Sequence, residues 1–134
     1  MAKRANKSRL IEHCRKLPGA TEDIKWADNL VFSVAAKMFA IFDVEDDSRA
    51  VRFKCDEDDF DRLCEYEGIA PASHVGRYGW VSFEDVDNHD FAELKDLLTK
   101  SHRLIVGKLS KKKQNDIWKQ NGLRNDCVSR ENEL

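Results

Sequence analysis

The residues best equipped for chemistry are gathered in one short block. His74, Arg77, Tyr78 and Trp80 stand close together, interleaved with Gly76 and Gly79. An imidazole, a guanidinium and two aromatic rings in a glycine-containing stretch could stack on a base and pair with a phosphate, or hold a small anion. The plainer explanation is that Trp80 fills core and the glycines let the backbone turn. Lys37 is a second candidate, placed where a tight turn would present it to phosphate, although a turn lysine also serves solubility alone. Lys108, Lys111, Lys112 and Lys113 form a secondary basic patch.

Other chemistries find little support. The acidic run Asp56–Asp61, with Asp43–Asp47 nearby in sequence, has the residue types of an oxygen-ligand metal site. Such sites need converging carboxylates, whereas a helix start explains this run by capping and dipole compensation. No metal site and no cofactor is expected. No glycine-rich phosphate loop, HExxH, GxSxG or metal-spaced Cys/His set is present. His13 and Cys14 are adjacent on a helix and point in different directions. No catalytic residue is assigned, and the expectation is a protein that is not an enzyme.

Charge is unevenly spread along the 134 residues, whose net charge is −2. Residues 1–16 carry six Lys/Arg against one carboxylate, and residues 100–120 carry seven against one. Residues 17–99 hold eight basic and twenty acidic side chains. Basic ends around an acidic middle can mark a nucleic-acid-facing surface, though solvated helix faces produce the same pattern. Cys14, Cys55, Cys64 and Cys127 form no CxxC and suit buried thiols in a reducing compartment. With no apolar run of membrane-spanning length and no signal-like start, the expected location is the cytoplasm, with no membrane partner.

The elements that must position these residues are organised around Leu30–Asp43, the longest apolar run, which reads as two strands about a small centre at Ala35-Ala36-Lys37. Leu30, Phe32 and Val34 share one face, with Val31 and Ser33 on the other; the second half is apolar on both faces and leaves its register open. Residues 5–17 read as a helix ended by Pro18-Gly19, and Ala20–Asn29 as a loop with Trp26 as its apolar anchor. Arg49–Lys54 reads as a strand, followed by a short helix capped by Asp56 and closed at Gly68. Ile69–Gly79 reads as a loop and Tyr78–Phe83 as a strand. Asp90 and Glu93 form a capping-box pair opening a helix through Ile105. The pattern predicts one α+β domain over residues 1–109, a small antiparallel sheet of about four strands with helices on one face. Residues 110–134 read as a polar extension with a short docked helix around Ile117-Trp118 and a mobile end.

Five segments, LPGATEDIKW (17–26), VFSVAAKMFAIFD (31–43), VRFKCD (51–56), HVGRYGWVSF (74–83) and SHRLIVGKL (101–109), resemble in order the MmcQ/YjbR-like family. Many members have a glycine pair where this chain has Ala35-Ala36, and some carry a basic run after the histidine where only Arg77 is basic here. The resemblance implies a CyaY-like, double-wing-like fold and the label of a DNA-binding protein, and it points to Lys37, His74, Arg77 and Trp80. The expectation is therefore a non-enzymatic DNA- or polyanion-binding protein, with a monomer as the favoured state. The alternative is a protein- or small-ligand-binding module using the sheet face around Trp80 and Trp26. Iron handling, by analogy with frataxin, is a distant third because the first helix is basic rather than acidic.

Overall fold

The computed structural model describes residues 5–26, 28–45, 48–72 and 76–119, without the side chains of Arg77 and Lys119. Six strands form one open antiparallel sheet: β1 (Ala20–Lys25), β2 (Asn29–Val34), β3 (Lys37–Asp43), β4 (Val51–Lys54), β5 (Ile69–Pro71) and β6 (Trp80–Phe83). Their order across the sheet is β1-β2-β3-β4-β6-β5. The helices are α1 (Lys7–Arg15), α2 (Glu57–Leu63), α3 (Phe91–Gly107) and α4 (Lys111–Lys119). No helix among the described residues is long and apolar enough to cross a membrane.

The sheet therefore has six strands where the sequence pattern predicts about four. The two added strands are its edges. ATEDIK lacks an apolar alternation and reads as loop, yet Ala20–Lys25 pairs residue by residue with Val34–Asn29. An edge strand needs no second apolar face, and Glu22, Asp23 and Lys25 discourage pairing with another chain. β5 is three residues long and ends in Pro71, which an edge tolerates because its missing N–H is not needed by the ladder. Trp26, expected as an anchor, is a turn residue with 62% of its surface exposed. The last strand begins at Trp80 rather than Tyr78, which lies in a short 3-10 turn over Gly76–Tyr78.

All four helices lie on one sheet face and enclose the main core. Leu10 and Cys14 of α1, Leu63 of α2, Leu94, Leu98 and Ile105 of α3 and Ile117 of α4 pack against Phe32, Phe39, Phe42, Phe53 and Phe83 of the strands. α1 starts at Asn6, whose side chain accepts from the Arg9 N–H. Asp56 and Asp90 do the same for α2 and α3, each toward the residue three positions on. Lys7 closes the loop after β3: its ammonium donates to the carbonyls of Asp43, Glu45 and Ser48 at 2.9, 2.7 and 2.7 Å.

The register left open by the sequence is settled by a β-bulge. Phe32 pairs with Ala40 and Ser33 with Met38, so Phe39 is the extra residue. The bulge turns Phe39 toward the helical layer, where it joins Phe42, while Ile41 points to the opposite face. Ser101 of α3 secures that bulge. Its buried hydroxyl donates to the Phe39 carbonyl at 2.7 Å and accepts from the Lys54 N–H at 3.1 Å. One side chain thereby ties β3, β4 and α3 at the point where the ladder between the two strands ends. On the sheet's other face Val31, Ile41, Ala72 and Trp80 form a smaller buried cluster, edged by Met38.

Candidate functional site

Several of the sequence-selected residues come together at one end of the sheet, the end that holds the β2–β3 turn. Ala35 and Ala36 form that two-residue turn with φ of 51° and 67°, a left-handed pair that right-twisted hairpins require. Lys37 is exposed and follows the turn as the first residue of β3, paired with Val34. A Cβ placed on Gly19 would meet Ile117 at 3.2 Å and Val34 at 3.4 Å, so α4 docks beside the same turn. The exposed Lys111, Lys112 and Lys113 occupy the first turn of that helix, which the Ser110 hydroxyl caps by accepting from the Lys113 N–H.

Lys54 belongs to this end although its role was not anticipated. In sequence it is an ordinary outward residue of a strand, and nothing in VRFK distinguishes it. It pairs with Trp80 across β4 and β6. Its ammonium donates to the Tyr78 carbonyl at 2.5 Å. Burial, and then the charge of neighbouring Lys108, hold its pKa below the ordinary lysine range. Among the described residues neither Lys54 nor Lys108 forms an ion pair with a carboxylate. Gly79 lets the main chain pass close to Cys55 beside it: at φ 87° it sits where a Cβ would be 2.9 Å from the Cys55 carbonyl.

Other selected residues are arranged differently. Trp80 is only 6% exposed and belongs to the cluster with Val31, Ile41 and Ala72, so its ring is packing rather than a shelf for a base. Trp26 is at the opposite end of the sheet, by the β1–β2 turn, so the two rings do not frame one surface. Tyr78 is exposed and borders a depression of about 390 Å3 whose other walls include Glu57, Phe60 and Asp61, so carboxylates meet it on that side. His74, the side chain of Arg77, residues 120–134 and Cys127 lie outside the described residues.

The acidic residues mostly have structural partners. Asp56 caps α2, and Asp59 accepts from Lys100 at 2.7 Å and from Arg62 at 3.2 Å. Burial raises the Asp59 pKa, but the bonds to Lys100 and Arg62 outweigh it and leave the carboxyl below its ordinary range. Carboxylate oxygens of Asp28, Asp43 and Glu45 lie within 4.8 Å of one another, and Lys7 brings its positive charge to that loop through the carbonyls of Asp43 and Glu45. Cys14, Cys55 and Cys64 are free thiols. Burial pushes the Cys14 pKa far up, and burial with Asp59 and Asp56 pushes that of Cys55 up to about 12, so neither is a thiolate at neutral pH.

One histidine without a local sequence signal is fully enclosed. His102 of α3 has its Nε2 2.6 Å from the Pro18 carbonyl, with its ring edge-on to Phe39 and Trp118. It joins the end of α1, the bulge and α4. The apolar spacing of α3 gave no reason to single it out, because a polar residue beside Ser101 reads as an exposed flank.

The model of the YjbR family matches residues 15–104, two-thirds of the chain. The chain belongs to the YjbR family. A solved Deinococcus radiodurans protein with a DUF419 domain is similar to it at 24% identity, covering 87% of this chain and 91% of that one, with a TM-score of 0.77. A solved Pseudomonas syringae protein is similar at 20% identity over 75% of this chain and 98% of that one, with a TM-score of 0.61. At those identities the likeness speaks for a shared fold alone. No curated protein matches this chain. The matched stretch of this YjbR-family chain includes Lys37, Lys54 and the block from Gly76 to Trp80, and it ends before Lys108.

Proposed function

We propose that this YjbR-family protein binds the phosphate backbone of DNA, without catalysing a reaction, through the cations at the hairpin end of its sheet. The observation that carries the reading is the placement of Lys54, whose ammonium is fixed on the Tyr78 carbonyl at the sheet end that holds Lys37 and forms no ion pair among the described residues. An ammonium so placed favours an anion, and a phosphodiester oxygen supplies one. Lys111, Lys112 and Lys113 support the same reading. Positive charge in the first turn of a helix opposes the macrodipole, and a bound phosphate compensates both. The β2–β3 hairpin with Lys37 would act as one wing of a double-wing-like contact, on a CyaY-like arrangement of one helical layer over one sheet.

Affinity in such a complex comes mainly from released counterions, so it falls steeply with salt. Fluorescence polarisation with a labelled duplex of about 20 base pairs, sized to outspan a single small-domain footprint, tests this at about 50 and about 200 mM salt. Binding at the lower salt is expected, with a negative log–log slope that Lys54→Gln and Lys108→Gln each reduce by about 1. A chain that leaves the duplex free at the lower salt refutes the proposal.

A further inference from the structure

The helical layer holds a second concentration of positive charge. α1 and α3 run side by side, and between them lies a groove of about 460 Å3 lined by Arg9 and His13 of α1, by Lys16 at its C-terminal cap and by Phe91 and Lys95 of α3, with Ser8 and Glu12 beside them. Elsewhere four described cations, Arg15, Arg49, Arg62 and Lys100, form ion pairs with carboxylates. Arg15 reaches Glu22 at 2.7 Å, Arg49 reaches Asp87 at 2.8 Å, and Lys100 reaches Asp59 at 2.7 Å. Among the described residues Arg9, Lys16 and Lys95 form no ion pair, and the one carboxylate of the groove, Glu12, is drawn 3.5 Å from Arg15.

Two side chains of the groove are held in place. The Arg9 guanidinium lies 4.8 Å from the centre of the Phe91 ring, an aromatic seat that limits its freedom without neutralising it. His13 has its Nε2 2.7 Å from the Thr99 hydroxyl oxygen, and that hydroxyl donates to the Lys95 carbonyl at 2.9 Å. A hydroxyl carries one proton, so Nε2 is the donor in the His13–Thr99 bond. Thr99 thereby orients the imidazole, and the remaining nitrogen is the one that takes up a proton when negative charge enters.

We propose that this groove is a binding site for a small phosphate monoester, whose dianion sits among Arg9, Lys16 and Lys95. The volume falls in the range of small-ligand clefts. Three cations, set against Glu12, which is drawn to Arg15, and Asp96, whose charge also reaches His13, leave a net positive groove that suits a dianionic monoester better than the single charge of a diester. Ser8 adds a hydroxyl donor to the lining.

Calorimetry and imidazole NMR on the full-length chain at low chloride provide the test, with glycerol 3-phosphate and inorganic phosphate as probes and an oligothymidylate lacking terminal phosphate as the diester control. Saturable binding of glycerol 3-phosphate is expected, with the His13 resonances moving toward those of the protonated ring. Arg9→Met and Lys95→Met should each weaken binding at least tenfold with amide spectra that stay dispersed, and Lys54→Gln should leave it unchanged. Absence of saturable binding by either small probe overturns the proposal. So does binding that Lys95→Met leaves intact, that Lys54→Gln abolishes, or that the diester control matches.

Discussion

Replacing Ser101 by alanine is the most informative single perturbation of this fold. The side chain is fully buried, and its hydroxyl is the partner of two main-chain groups on different strands, the Phe39 carbonyl at 2.7 Å and the Lys54 N–H at 3.1 Å. Alanine fits the space but leaves both groups without that partner. A buried main-chain group stripped of its hydrogen bond loses roughly 1–3 kcal/mol, so the pair should lose about 2–4 kcal/mol, the carbonyl contributing less than the N–H because it has a second lone pair. That is a large share of the roughly 5–15 kcal/mol that holds a domain of this size together. Urea unfolding followed by tryptophan fluorescence, to which buried Trp80 contributes, is the assay. With a slope near 1.5 kcal/mol/M, the midpoint should fall by about 1.3–2.7 M with the slope unchanged. Ser101→Thr keeps the hydroxyl and should fall less. A midpoint within about 0.3 M of the parent for Ser101→Ala would refute the reasoning, since the hydroxyl would then not be securing the bulge.

Three further outcomes follow from the geometry. Ala35→Gly and Ala36→Gly should each raise stability by about 0.5–1 kcal/mol in thermal unfolding, because relief of the left-handed alanine exceeds glycine's extra unfolded-state entropy; a drop would show that the turn is unstrained. Lys7→Met removes three donors from the loop after β3 and should lower stability by roughly 1–2 kcal/mol, with faster hydrogen exchange at the Val44 and Ser48 amides; unchanged exchange there would contradict the role given to Lys7. His13 is held below the ordinary imidazole range by burial first and then by Lys95, with Lys16 also lowering it and Asp96 opposing. Because the unfolded chain binds the proton more readily, stability is present above about pH 6.5 and declines as pH falls from there through the folded-state value. His13→Asn should flatten that decline in unfolding curves taken between about pH 5 and about pH 7.5; an identical pH profile would assign it to other groups.

Much of the architecture was readable from local chemistry. The helices announce themselves through apolar spacing and through Asp56 and Asp90, whose capping depends on residues three positions away. The split of Leu30, Phe32 and Val34 from Val31 follows from strand periodicity alone. Edge strands escape such reading because solvent covers one face and one margin, leaving little apolar pattern in ATEDIK or IAP. The candidate site was legible only in part. Lys37 and Lys108 were marked by type and surroundings, whereas Lys54 carries no local mark at all.

By itself the amino-acid order determined a helical layer over an antiparallel sheet, a hairpin turning about Ala35-Ala36-Lys37, and the excess of positive charge toward both ends; that Lys37 already pairs in the strand was decided by the fold. Only the tertiary structure decided that Phe39 leaves the strand alternation, that Ser101 bridges two strands, and which lysines stand together. The physical reason is range. Capping, periodicity and turn conformation act over a few residues, whereas the bulge, the Lys54–Tyr78 bond and the groove between α1 and α3 join groups far apart in the chain, and such pairings exist only once the core has fixed their positions.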